Sequence, residues 1–333
     1  MDFSVMAESS RLNTAYGRRY FLKMGRHMSG TRATLVGLIS VVLWSANVGL
    51  IRTVTQALGP VGGAAMLYTL SAALLYASFG FPRLSAFPRR YLYIASALFC
   101  VYEICFSLSL GFATSGRQTL ELGMVNYLWP SMTIAMAVLV NKQKANWLIV
   151  PGMALAIAGI GLVLGGEQGL DLREMWRNIL VNPLSYFLAF TGAFLWSVYC
   201  TITARMAGGN NSVTFFFMLT ALLLWMKYLA GDAVPMRLSP ESAALALAAA
   251  AALAFGYASW NIGILHGNVT VLSAASYFIP VFSSLLTSFM VGAPLSASFW
   301  RGCALTSLGS LLCWISTRTK RAAAVHRDSV VIR

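Results

Sequence analysis

Ten apolar runs, each about as long as a bilayer is thick, restrict this chain to very few folds. They lie at approximately 34–54, 61–80, 92–112, 119–140, 146–165, 184–204, 212–230, 241–264, 270–291 and 298–317. A helix needs about 20 apolar residues to cross the hydrocarbon core. Inside that core every backbone N–H and C=O must be satisfied within the protein, which leaves helices and closed barrels, and runs of this length select helices. Composition agrees: 58% of the residues are hydrophobic, 10% are charged and the mean hydropathy is +0.70. The expected fold class is an all-α, multi-pass membrane protein.

The net charge of +14 would indicate nucleic acid in a soluble chain, but here Lys and Arg occupy tails and short connections, so no nucleic-acid partner is expected. Ten spans place both termini on one side. Of the 24 Lys and Arg, 17 fall on that side and 7 on the other, which makes both termini cytoplasmic by the positive-inside rule. Residues 1–29 are basic and polar and lack the apolar core and small-residue cleavage site of a secretory signal. They are expected to form a disordered cytoplasmic leader, with Met28 as a second candidate start; residues 318–333 form a cytoplasmic tail. Between them, 166–183 carries Leu172, Met175, Trp176 and Ile179 among charged residues, as a short amphipathic surface helix would.

The runs repeat. NYLWPS at 126–131 has a counterpart in SYFIPV at 276–281, an offset of 150 that also relates Gly152 and Gly159 to Gly302 and Gly309. Leu43-Trp44-Ser45 recurs as Leu195-Trp196-Ser197 at an offset of 152. Residues 30–165 and 184–317 thus read as two copies of a five-span unit joined by 166–183. Because five is odd, the second copy enters the membrane from the opposite face. The expectation is ten transmembrane helices arranged as two inverted five-helix repeats around a central cavity. Gly152, Gly159, Gly302 and Gly309 are expected where spans five and ten touch.

Pro130 and Pro280 fall in the middle of spans four and nine and cannot donate to the carbonyls of Asn126 and Ser276. Such breaks serve either to line a wet cavity or to bend a helix for packing; their pairing favours the cavity. Trp44 and Trp196 lie near mid-span, away from the interfacial belts where tryptophans collect. They act as walls of an amphipathic slot or as core. Tyr127, Trp129, Tyr199, Tyr257, Trp260 and Tyr277 supply further rings with polar handles, although Tyr127 and Trp129, two apart on a helix, should diverge. Glu103 sits at mid-depth of span three, where a carboxyl costs about 2.5–3.5 kcal/mol on insertion scales unless neutralised or paired; it is either a functional group or a packing lock. Glu121, one turn after Arg117, reads as a solvated or paired residue at the mouth. Asn126 and Asn261 offer both donors and acceptors, as a ligand with an ammonium and a carboxylate requires.

The five cysteines lie in apolar runs without metal-site spacing, and His266 alone among three histidines borders a span, so neither a metal site nor a cofactor is expected. No G-x-S-x-G or H-E-x-x-H motif is present, which argues against an enzyme.

VLWSANVGLIR (42–52), GPVGGAAMLYTLS (59–71), YEICFSLSLGFA (102–113), ELGMVNYLWPS (121–131), NWLIVPG (146–152), NPLSYFLAF (182–190), WNIGILHGNVT (260–270) and SYFIPV (276–281) give the sequence a resemblance covering roughly 30–318. It resembles the aromatic amino acid exporters of the drug/metabolite transporter superfamily, which carry EamA-type repeats. The resemblance implies a bacterial inner-membrane transporter that exports aromatic and other neutral amino acids by alternating access. The matching pocket positions are Trp44, Tyr102, Glu103, Asn126, Tyr127, Trp129, Trp196, Tyr199, Trp260, Asn261 and Tyr277, with Pro130 and Pro280 at the helix breaks. Small-molecule substrate and lipid bilayer are the expected partners, and the protein is expected to be a monomer. Efflux of lipophilic cations with Glu103 as counter-ion, and a membrane sensor without flux, are the alternatives.

Overall fold

The structure, a computed structural model, describes residues 29–168, 171–207, 212–231 and 235–317, with the side chains of Gln168, Ala204, Asn261, 264–266, 269, 270, 273 and 274 outside the description. The expected leader up to residue 28 and the tail from 318 lie outside the described residues. Thirteen α-helices run through the described residues: α1 (Gly30–Leu58), α2 (Pro60–Phe79), α3 (Arg89–Gly111), α4 (Gly116–Asn126), α5 (Trp129–Asn141), α6 (Ile149–Leu164), α7 (Leu172–Val181), α8 (Pro183–Met206), α9 (Val213–Ala230), α10 (Pro240–His266), α11 (Val269–Ser276), α12 (Ile279–Val291) and α13 (Ala297–Ser316). Each of the ten apolar runs is helical.

Local chemistry sets the boundaries. The hydroxyls of Ser29, Ser115 and Ser296 and the side chains of Asp171 and Asn182 cap the starts of α1, α4, α13, α7 and α8 by accepting first-turn amides. Ser239 and Ser242 form a reciprocal capping box at α10. Proline occupies the first turn of α2, α5, α8, α10 and α12, where its missing N–H costs nothing.

Seven described helical segments are long and apolar enough to cross a membrane: α1, α2, α3, the α4–α5 pair, α8, α9 and α10, the last counted to Trp260. Shorter apolar helices accompany them. α6 has 16 residues, about 24 Å at the α-helical rise, which is less than the hydrocarbon thickness. α13 has 20 residues but includes the exposed Arg301 and four serines, of which Ser298, Ser310 and Ser316 are buried.

The largest interfaces join the first five runs to the last five. α1 packs on α10 and α12, α8 on α3, α4 and α5, α2 on α9, and α6 on α13. α6 and α13 run antiparallel through their glycines. A Cβ on Gly152 would stand 2.9 Å from the Gly309 carbonyl oxygen, and one on Gly159 would stand 2.6 Å from that of Gly302. Backbones this close tolerate no side chain. The outer faces expose large apolar residues such as Leu35, Val42, Leu229 and Phe289, the last 90% exposed, as lipid contact demands.

α7 lies on the surface. Met175 and Ile179 turn to the core, while Leu172, Trp176 and Leu180 are exposed. Glu174 reaches Arg117 of α4 at 3.5 Å, and the Asn178 amide donates to the Leu164 carbonyl at 3.0 Å.

Candidate functional site

Both mid-span prolines mark true helix breaks of one geometry. α4 ends at Asn126; the Tyr127 and Leu128 amides donate to Gly123 and Val125, and α5 starts at Trp129 with Pro130 in its first turn. α11 ends at Ser276; the Phe278 amide donates to Ala275, and α12 starts at Ile279 with Pro280 in its first turn. A tight three-residue hydrogen bond ends one helix and the proline opens the next.

Beside the first break lies a cavity walled by Trp44, Asn47, Val48 and Ile51 of α1, Tyr102, Glu103 and Phe106 of α3, Asn126, Tyr127 and Trp129 at the break, Trp196 of α8, Leu253 and Tyr257 of α10, and Ile279 of α12. Both halves of the chain contribute.

Aromatic faces dominate. Trp44 meets Tyr257 edge-on at 5.3 Å and Trp260 at 5.2 Å between ring centroids. Trp196 lies against Tyr102 at 4.7 Å and stacks on Tyr199 at 5.0 Å. Tyr257 also meets Trp196 edge-on at 6.2 Å, so a single tyrosine ring separates the two indoles. Offset and edge-on contacts of this kind add about 0.5–1.5 kcal/mol each beyond burial, and they fix the walls before any ligand arrives.

The polar groups are few. Glu103 is 2% exposed and accepts a hydrogen bond on each carboxyl oxygen, from the Tyr68 hydroxyl at 2.6 Å and the Tyr257 hydroxyl at 2.8 Å. Asn126 is 3% exposed and its Oδ1 has no hydrogen-bond partner; the Trp44 Nε1 is likewise buried and unpaired. A buried polar atom left unpaired costs about 1–3 kcal/mol. Both residues belong to the one cavity wall.

Glu121 lies apart from this cavity wall. Arg117 pairs with it at 3.0 Å and the Tyr186 hydroxyl of α8 donates to its other oxygen. It is paired, as one sequence expectation had it, but it is buried rather than solvated.

Comparison with known proteins gives this cavity a family. The model of the EamA-like transporter family matches residues 183–315, the stretch from α8 to α13. The aromatic amino acid exporter YddG of Salmonella typhimurium is 52% identical over 293 residues, which cover 88% of this chain and 100% of that protein. The chain belongs to the YddG family. The Escherichia coli K12 YddG is 53% identical over 87% of this chain and 99% of its own, and the Ancylobacter novellus YddG is 26% identical over 87% and 100%. A protein solved by crystallography shares the fold with a TM-score of 0.63 at 23% identity, over 88% of this chain and 100% of its own.

In this member of the YddG family, the fold brings seven of the eleven expected pocket residues to one cavity: Trp44, Tyr102, Glu103, Asn126, Tyr127, Trp129 and Trp196. Tyr199 and Trp260 stand behind it, each against one of the two indoles. Tyr277 lies against Trp314 at 6.1 Å and is not part of the wall. The Asn261 side chain lies outside the described residues. Tyr127 and Trp129 do not diverge as a continuous helix would make them, because α4 ends at Asn126 and the turn at Tyr127 and Leu128 lets both residues line the cavity. Asn47, Val48 and Ile51 escaped the sequence reading, yet with Trp44 they form an i, i+3, i+4, i+7 face that helical spacing alone marks. Phe106 follows Tyr102 by four, and Leu253 precedes Tyr257 by four, in the same way.

Proposed function

We propose that this chain is an inner-membrane exporter of aromatic and other neutral amino acids, the cargo carried through the cavity by alternating access. The observation that carries the assignment is the pair of orphaned polar atoms, the Trp44 Nε1 donor and the Asn126 Oδ1 acceptor, in an otherwise aromatic cavity at a broken helix. Aromatic walls suit a large apolar side chain, and an unpaired donor and acceptor suit the two ends of an amino acid backbone. The curated relatives at 52% and 53% identity are named for this cargo.

Ten membrane crossings in two inverted repeats accord with the packing. Exchanging the halves turns the α1–α10 interface into the α8–α3 one and α1–α12 into α8–α5, while α6–α13 and α2–α9 map onto themselves. The antiparallel contacts of Gly152 with Gly309 and Gly159 with Gly302 map onto each other. Such an arrangement gives two exchangeable conformations and so a natural route to rocking. Both termini are cytoplasmic, and one chain encloses the cavity, so the working unit is a monomer.

Efflux of labelled phenylalanine from reconstituted vesicles tests this. Trp44→Ala and Asn126→Ala should each reduce flux about tenfold or more, the scale of one stacked ring or one buried hydrogen bond. Unchanged flux in both would remove these residues from the site.

A further inference from the structure

Glu103 has two donors and no cation. Hydroxyls from Tyr68 and Tyr257 each occupy one position on its carboxyl oxygens, leaving about half of the lone-pair sites of an acceptor-only group free. No Lys, Arg or His belongs to the cavity wall, and the ion pairs among the described residues are those of Arg117. A carboxylate held as an acceptor at mid-bilayer without a counter-charge is costly unless something else brings the charge. The same wall offers a second acceptor, Asn126 Oδ1, buried and unpartnered, and a donor-only group, Trp44 Nε1, in the same condition.

An α-amino acid presents an ammonium with three donors and no acceptor, and a carboxylate that only accepts. The two kinds of vacancy sort its ends. We infer that Glu103, together with Asn126 Oδ1, forms the ammonium subsite of this cavity, and that Tyr68 and Tyr257 are its positioning residues. This deepens the exporter assignment and rests on it. Tyr68 belongs to α2 in the first half and Tyr257 to α10 in the second, so the carboxylate is aimed by both halves at once. Tyr257 also separates Trp44 from Trp196, which ties the position of the ammonium to the slot for the side chain. The cargo class that follows is a compact molecule with a protonated amine one carbon from an anionic or strongly accepting group and an apolar side chain. An apolar carboxylic acid without the amine falls outside it.

The test is competition against labelled phenylalanine for binding to the purified full chain, with flux in vesicles measured beside it, so that a variant unable to transport is still read. In the wild type, 2-phenylethylamine should compete and 3-phenylpropionate should compete about tenfold more weakly, the size of one charge-assisted bond. In Glu103→Gln, phenylalanine binding should weaken about tenfold, and the order of the two analogues should reverse or level. A change of ligand order within one variant cannot come from misfolding. Tyr257→Phe keeps the ring and should move the order in the same direction by less. The inference is overturned if Glu103→Gln keeps both the affinity and the ligand order of the wild type, or if the wild type prefers the acid to the amine. A wild-type protein that binds phenylalanine without moving it overturns the exporter assignment and leaves the subsite standing. One that neither binds nor moves phenylalanine overturns both.

Discussion

At the scale of the residue, the site is a few polar atoms among rings, and their worth depends on burial. Tyr257 shows how much one side chain can hold together: its hydroxyl donates to Glu103 at 2.8 Å, and its ring touches both Trp44 and Trp196. Ring and hydroxyl are separable. Tyr257→Phe should leave the fold and the aromatic slot intact and weaken phenylalanine binding several-fold, whereas Tyr257→Ala should cost about 3–5 kcal/mol of stability as a buried aromatic truncation does. Thermal unfolding of purified protein with and without phenylalanine distinguishes the two; equal loss of stability in both variants would deny the ring its role. Much of this was legible in the sequence. Trp44, Trp196, Glu103 and Asn126 stand out because each is the wrong residue type for its depth in a bilayer. Tyr257 enters the sequence reading only as one more ring with a polar handle and not as a pocket position, because a tyrosine in a span looks the same whether it lines a cavity or fills the core.

At the scale of the element, the two broken helices decide the site. In α4–α5 the chain stops at Asn126 and restarts at Trp129, and only that interruption lets Tyr127 and Trp129 face the same space. Pro130 enforces it by lacking the N–H that a continuous helix would use. Pro130→Ala restores this donor, so α4 and α5 can run on as one helix. The expected outcome is a protein as stable as the wild type or more so, with flux reduced about tenfold or more by a cavity whose rings point apart. Flux and melting temperature measured together check it, and wild-type flux with unchanged melting would show that the break holds without the proline. Proline marks the location of both breaks in the sequence. The turn geometry that follows from them had to be seen, since a proline in a span is as compatible with a bend as with a stop.

For the molecule as a whole, labelling from either side of the membrane checks the proposed orientation. If the termini are cytoplasmic as proposed, cysteines at Ser85 and Gln143, both exposed in short connections, should react with a membrane-impermeant thiol reagent only from the cytoplasm. Cysteines at Arg173 and Arg237 should react only from the outside. Any exchange between the two groups would invert the topology or change the number of crossings. Apolar run lengths, the charge asymmetry, the offset of 150 and the placement of two prolines are all local or periodic properties of the chain, and they were enough to specify helices and their order. Which face of each helix meets which neighbour is not local. It follows from close packing of the described helices, through glycine contacts such as Gly152 with Gly309 and through side chains that meet across the halves. That is why the sequence could nominate Glu103, while only the tertiary structure supplied Tyr68 and Tyr257 as the pair that holds it toward the cavity.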